Sequence, residues 1–219
     1  TSMRWNLEML LAGDIGKLSA KQKEVVKNTG EANERMIKLI STLLNISRIE
    51  SGRLIVDPVE LDLVAYFKDL EKHCQSNVKG QKLVLTMPKG PYNVVVDPML
   101  LRQIINNFVN NASKYSPAEL SIDINVVDQN DKYMISVTDH GIGIPQIEQR
   151  KIFGKFFRAS NVSKHETDGT GMGLYIGSML VKLLGGTIEF ESAEGKGSTF
   201  KVTLPKMGVP AKAGEVKMI

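Results

Sequence analysis

Residues 97–115 read DPMLLRQIINNFVNNASKY, and this stretch decides how the rest of the chain is read. Leu100, Leu101, Ile104, Ile105, Phe108, Val109 and then Ala112 recur with helical spacing. Asparagine is a poor helix residue because its amide competes for nearby backbone groups. Yet residues 106–111 carry four of them. Asn107 and Asn111 lie four apart, so they project from one face. A helix that buries one side and lines up carboxamides on another is built to hold something polar. Asp97 reads as its N-cap with Pro98 at N1, a structural part with no catalytic role.

The chain has 219 residues, 42% hydrophobic and 24% charged, as in ordinary globular proteins. A net charge of +4 with dispersed basic residues argues against nucleic acid, and no polybasic block points to a membrane surface. No apolar run approaches the roughly 18 residues of a membrane span, and the start, TSMRWNLEML, has no signal-peptide pattern. Cys74 is the only cysteine, which excludes an internal disulfide and fits a reducing compartment. The three histidines lack spaced partners for a zinc site. A cytoplasmic location is expected.

Upstream, residues 1–55 differ in kind. TSMRWNLEMLLAG reads as the tail of an amphipathic helix, with Trp5 and its leucines in a bundle core. A second helix opens with Ser19 and Gln22 as a capping box. Val25, Thr29, Ala32, Met36, Leu39, Leu43 and Ile46 then form a heptad-like stripe that ends at Glu50. An intramolecular hairpin is one reading. Half of a dimeric four-helix bundle is the better one, because the short first helix cannot cover so long a stripe.

Gly52 and Pro58 mark a junction, after which strands and helices alternate. Strands are expected at 59–61, 82–87, 93–96, 119–128 and 132–139, with helices at 62–79 and 98–114. A final hairpin has alternating Ile188, Phe190 and Phe200, Val202, Leu204. The expected class is α+β: an N-terminal helical hairpin, then an α/β sandwich of mixed sheet under three main helices. Domain limits are expected at 1–55, 56–207 and a loose tail at 208–219.

Three glycine-bearing segments come after the asparagine helix. VTDHGIGIP (137–145) ends a strand at Asp139 and places Gly141 and Gly143 in a tight turn. IFGKFFRAS (152–160) joins aromatics to Arg158, and DGTGMGLYIG (168–177) sets Gly169, Gly171 and Gly173 at a helix start. Free N–H groups there can face an anion. Phe153, Phe156 and Phe157 read as lid-anchoring or core aromatics, and Cys74 as a packed helix residue. Neither a Walker A pattern nor a Rossmann fingerprint is present.

The ordered set, closed by GKGSTF at 195–200, resembles the N, G1, F, G2 and G3 boxes of the sensor histidine kinases. EANERMIKLISTLLNISRIESG (31–52) is similar to the helix that precedes the kinase domain in that family. The resemblance implies a Bergerat-type ATP site, shared with gyrase, Hsp90 and MutL. It gives Asn111 a magnesium ion, Asn107 and Lys114 the phosphate region, and Tyr115 the nucleotide. Asp139 would accept from the adenine amine, with Gly141 and Gly143 letting the backbone near the base. Arg158 would meet the γ-phosphate, and Gly169, Thr170, Gly171, Gly173 and Leu174 would border the triphosphate. Residues 154–168 would form a lid.

The hydrolytic members carry a glutamate where this chain has Asn107. An amide cannot take a proton from water, which tilts the reading toward transfer to a separate nucleophile. Asn107, Lys114 and Arg158 are thus the expected catalytic set, with ATP and Mg2+ as ligands. The family's accepting histidine sits in an H box, and TSMRWNLEML resembles the segment directly after that box. His73, His140 and His165 do not replace it, so the chain is expected not to autophosphorylate. The implied partners are a second copy through the hairpin and a response regulator receiver domain, with membrane attachment only through a further N-terminal region. A degenerate module for dimerisation or docking is the alternative.

Overall fold

The computed structural model describes residues 2–75, 78–162, 169–214 and 216–218. The chain divides into two compact units, one ending at Glu50 and the other spanning Ser51–Met218.

In the first unit, α1 (Ser2–Ala12) lies against α2 (Ala20–Glu50). The capping box forms as expected: Gln22 N–H donates to Ser19 Oγ at 3.3 Å, and Ser19 N–H to Gln22 Oε1 at 2.9 Å. Ile46 at the end of the stripe is buried, but much of the rest finds no cover among the described residues. Val25, Met36 and Leu43 stay exposed, and Trp5, expected in a bundle core, is 62% exposed. One short helix cannot shield both flanks of a helix of 31 residues.

The second unit is built on a five-stranded sheet of order β2-β4-β5-β7-β6. These strands are β2 (Lys82–Thr86), β4 (Ser121–Gln129), β5 (Lys132–Asp139), β6 (Thr187–Ala193) and β7 (Gly197–Pro205). β2 pairs parallel to β4 and the other pairs are antiparallel, so the sheet is mixed. β1 (Val59–Asp62) and β3 (Asn93–Val96) form a separate antiparallel pair rather than joining it. Helices α3 (Leu63–Gln75), α4 (Pro98–Tyr115) and α5 (Gly173–Leu183) pack on the sheet, and a 3-10 turn covers Gln146–Lys151.

α4 is the centre of this packing. Leu101, Ile104, Ile105 and Phe108 are at most 1% exposed and share the core with Ile122, Ile124 and Val202 of the sheet layer. Each such side chain contributes roughly 1.5–3 kcal/mol of burial. Asp97 caps the helix as expected, accepting from Met99 N–H at 2.9 Å and Leu100 N–H at 3.1 Å. Its second oxygen accepts from Asp57 N–H at 2.9 Å, which fastens the junction segment to the helix start.

The tail departs from its expected looseness. Ile55 N–H donates to Val216 O at 3.1 Å, and Val56 and Lys212 exchange bonds of 3.1 and 3.0 Å. The partner segment offers backbone groups beside buried Leu54 and Val56, a pairing that local composition does not reveal. Residues on both sides of the expected 55/56 boundary therefore share one unit with the tail.

Candidate active site

The four asparagines of α4 have four different surroundings. Asn106 Oδ1 accepts from the Cys74 thiol at 3.3 Å, and Asn110 faces solvent. Asn107 is turned toward α5: its Oδ1 lies 3.8 Å from where a Cβ on Gly173 would be. Its Nδ2 is buried with no hydrogen-bond partner among the described residues. Asn111 alone opens into a cavity of about 260 Å³.

That cavity lies between the last turn of α4, the turn after β5, the start of α5 and the start of β7. Asn111, Lys114 and Tyr115 line it from α4, with Asp139 and Gly143 from the turn. Arg158, Gly169, Thr170 and Gly171 close one side, and Gly173 and Leu174 open α5 onto it. Asn107 and Gly141 are not among the lining residues. Asn107 packs beneath the start of α5.

Gly141 has a different reason to be glycine. A Cβ there would be driven into the Tyr115 carbonyl, where the turn crosses the end of α4. That carbonyl accepts from Ile142 N–H at 3.2 Å. Gly143, at φ +62°, presses on the Ala193 carbonyl while still facing the cavity. Its own carbonyl accepts from Asn161 Nδ2 at 2.9 Å.

Asp139 is 6% exposed, and Oδ1 accepts from Gly141 N–H at 2.9 Å. Burial pushes its carboxyl above the usual range, while the N–H groups of Gly141 and Ser198 and the nearby His140 pull it down less strongly. Ile142, Ile144, Ile152 and Val162 line the same cavity. The His140 ring turns away, with Nε2 3.1 Å from Asp123 Oδ2. An acceptor carboxylate between apolar walls suits a flat heterocycle with one exocyclic donor.

The other end of the cavity is cationic. Arg158 Nη1 donates to the Gly169 carbonyl at 3.2 Å, and a Cβ on Gly169 would lie 2.8 Å from Lys114 Nζ. Two cations thus flank one glycine. α5 begins at Gly173 with Met172 as N-cap and no side-chain cap bond. Its first N–H groups and its dipole favour an anion.

Sequence reasoning placed GKGSTF among the boxes but gave Ser198 and Phe200 no role in the site, and it missed the apolar wall. Phe157 lines the cavity rather than only anchoring the chain, while Phe156 is exposed with φ +61°. The alternation of Ile142 and Ile144 within GIGIP was the available signal for the wall. Residues 163–168, the end of the expected lid and the position of His165, lie outside the described residues.

A helical pair followed by a mixed α/β layer, with this cavity at the end of α4, defines a nucleotide-binding protein of the ATPase and kinase class. The chain belongs to the family of histidine kinase-, DNA gyrase B- and HSP90-like ATPases, whose model matches residues 96–208. Residues 1–52 match the His Kinase A (phospho-acceptor) domain, so the chain joins the dimerisation-type helices and the ATP-binding catalytic core of a sensor histidine kinase.

It is 32% identical over 201 residues to the circadian input-output histidine kinase CikA of Synechococcus elongatus, covering 90% of this chain and 27% of the relative. It is 30% identical over 208 residues to the sensor histidine kinase WalK of Bacillus subtilis, covering 94% and 34%. The chain thus spans about a third or less of these relatives' length. Among solved structures, full-length ShkA in complex with AMPPNP superposes with a TM-score of 0.76 at 23% identity, covering 95% of this chain and 44% of that one. The Acinetobacter baumannii histidine kinase AdeS gives 0.67 at 21%, covering 93% of each. These two likenesses concern the fold. Among the described residues no helix is long and apolar enough to cross a membrane.

Proposed function

We propose that the Ser51–Met218 unit binds Mg-ATP in this cavity and presents its γ-phosphoryl group to a histidine, from which a response regulator aspartate takes it. The observation that carries the reading is the polarity of one cavity: buried Asp139 among isoleucines at one end, Lys114, Arg158 and an uncapped helix start at the other.

Each residue then has a defined task. Asp139 accepts from the adenine amine, and Ile142, Ile144 and Ile152 cover the ring faces. Tyr115, Thr170 and Leu174 border the sugar and phosphates, with Gly169, Gly171 and Gly173 leaving room for the chain to pass close. Lys114 and Arg158 neutralise phosphate charge, the main demand of phosphoryl transfer. Asn111 offers a hard oxygen suited to magnesium, which keeps several waters and takes phosphate oxygens as its other ligands. Among the described residues no cluster of His, Cys, Asp or Glu could hold a metal, which fits a site shared with the nucleotide. The ion would supply charge neutralisation between the phosphates.

Transfer rather than hydrolysis follows from Asn107. It lies one turn before Asn111, is an amide, and faces α5, so no general base stands there for water. Residues 1–55 contain no histidine. The acceptor is therefore a bundle histidine supplied from outside those residues, and α1 and α2 serve to pair two copies.

Labelled ATP with this chain and a separate histidine-bearing helical bundle tests the reading. Acid-labile label on the bundle, and none on this chain, is the expected result. Free phosphate release without transfer would overturn it.

A further inference from the structure

Gln81 stands just before β2 and is 1% exposed, outside every segment singled out from the sequence. Its amide is fully engaged at the end of α4. Nε2 donates to the Ser113 and Ser116 carbonyls, each at 2.9 Å, and Oε1 accepts from the Ser113 hydroxyl at 2.9 Å. The residue is itself held: its carbonyl accepts from Gln75 Nε2 at 2.9 Å, and Gln75 Oε1 accepts from Leu83 N–H at 3.0 Å.

A helix leaves its last four carbonyls without internal partners, and water or a glycine turn usually satisfies them. Here one buried amide clasps two carbonyls on either side of Lys114 and Tyr115. Both of those residues face the cavity, with Asn111 one turn earlier. The Ser116 hydroxyl in turn accepts from His140 N–H at 3.2 Å, next to Asp139. A simple cap needs one bond. Three bonds from a buried planar group fix the rotation of the last turn about the helix axis, and that rotation aims Lys114 and Tyr115.

We propose that Gln81 is a positioning residue for the nucleotide site, holding the last turn of α4 so that Lys114 and Tyr115 point into the cavity. The inference rests on the nucleotide-binding reading above. It extends the site to a strand start that touches no ligand.

Gln81→Met keeps length and apolar volume but removes every bond of the amide. Leu204→Ala, in the core at the far end of β7 beside Gly186, is the stability control, because it loses packing at a residue that does not line the cavity. Calorimetric titration of the full 219-residue chain with Mg-AMPPNP is the readout, beside thermal unfolding of each variant. Gln81→Met raises Kd roughly tenfold, the scale of leaving buried carbonyls unpaired. Leu204→Ala lowers Tm at least as far and leaves Kd within about twofold. Equal affinity losses in the two variants, or a folded Gln81→Met that binds like the parent, overturn the proposal. If Gln81→Met does not fold, Gln81→Asn carries the test, because its shorter amide cannot reach the two carbonyls: a rise in Kd of about threefold supports the proposal, and an unchanged Kd sinks it. A parent chain that fails to bind Mg-AMPPNP would instead overturn the nucleotide reading, and this inference with it.

Discussion

Arg158 donates through Nη1 to the Gly169 carbonyl at 3.2 Å, so the cation expected to meet a phosphate is braced on the chain that leads into α5. The bond holds the guanidinium plane at the cationic end of the cavity. Arg158→Lys then removes both the brace and the fork, and should not behave as a conservative change. Affinity for Mg-AMPPNP by calorimetry is expected to fall about tenfold or more, since hydrogen bonds to charged groups are worth roughly 1.5–3 kcal/mol.

Asp139 sets binding against stability. Its folded carboxyl titrates above the usual range of about 4 because burial disfavours the charge. Between the unfolded and folded values the native state holds more protons, so stability from this group falls as pH rises through that window. Asp139→Asn, still able to accept from Gly141 N–H, should raise Tm at pH 7, with the gain fading as pH approaches 4. The same variant should lose adenine nucleotide affinity roughly 100-fold or more, because an amide nitrogen would face the adenine donor. Melting curves across pH and a nucleotide titration check both halves.

The exposed face of α2 carries the third expectation. Met36 and Leu43 are 59% and 46% exposed on the predicted seam. Sedimentation of the chain should show a dimer whose fraction rises with concentration. Met36→Glu with Leu43→Glu should leave a monomer that still binds nucleotide, since the cavity belongs to the other unit.

Removing residues 211–219 tests the tail. The cut deletes the bonds to Ile55 and Val56 and uncovers Leu54 and Val56, both at most 2% exposed. A loss of about 3 kcal/mol is expected from several backbone bonds and this packing. Denaturant melts should register it, together with new tryptic cleavage at Arg53.

Much of this was legible in the sequence because the signals are local. The spacing from Leu100 to Ala112, the Asp97 cap, the Ser19–Gln22 box and the alternating strands of the last hairpin each reflect the chain's own periodicity. The glycine segments pointed to the cavity through their order. What escaped depends on partners distant in sequence. Asn107 looked like Asn111 from the helix face, but the start of α5 covers it. Gly141 is required by a carbonyl at the end of another element, which no local pattern announces. Gln81 has no motif at all, and its part emerges only from where α4 ends. The separate β1–β3 pair and the docked tail were likewise tertiary outcomes that propensity does not encode.

The pairing of Leu54 with Val216 and of Val56 with Lys212 brings the two ends of the Ser51–Met218 unit side by side. A short peptide bridge could therefore join them, with new termini opened at the exposed Gln129–Lys132 hairpin, where Asn130 turns the chain at φ +64°. Such a circular permutant should keep its cavity, since cuts at exposed loop tips between neighbouring ends are well tolerated.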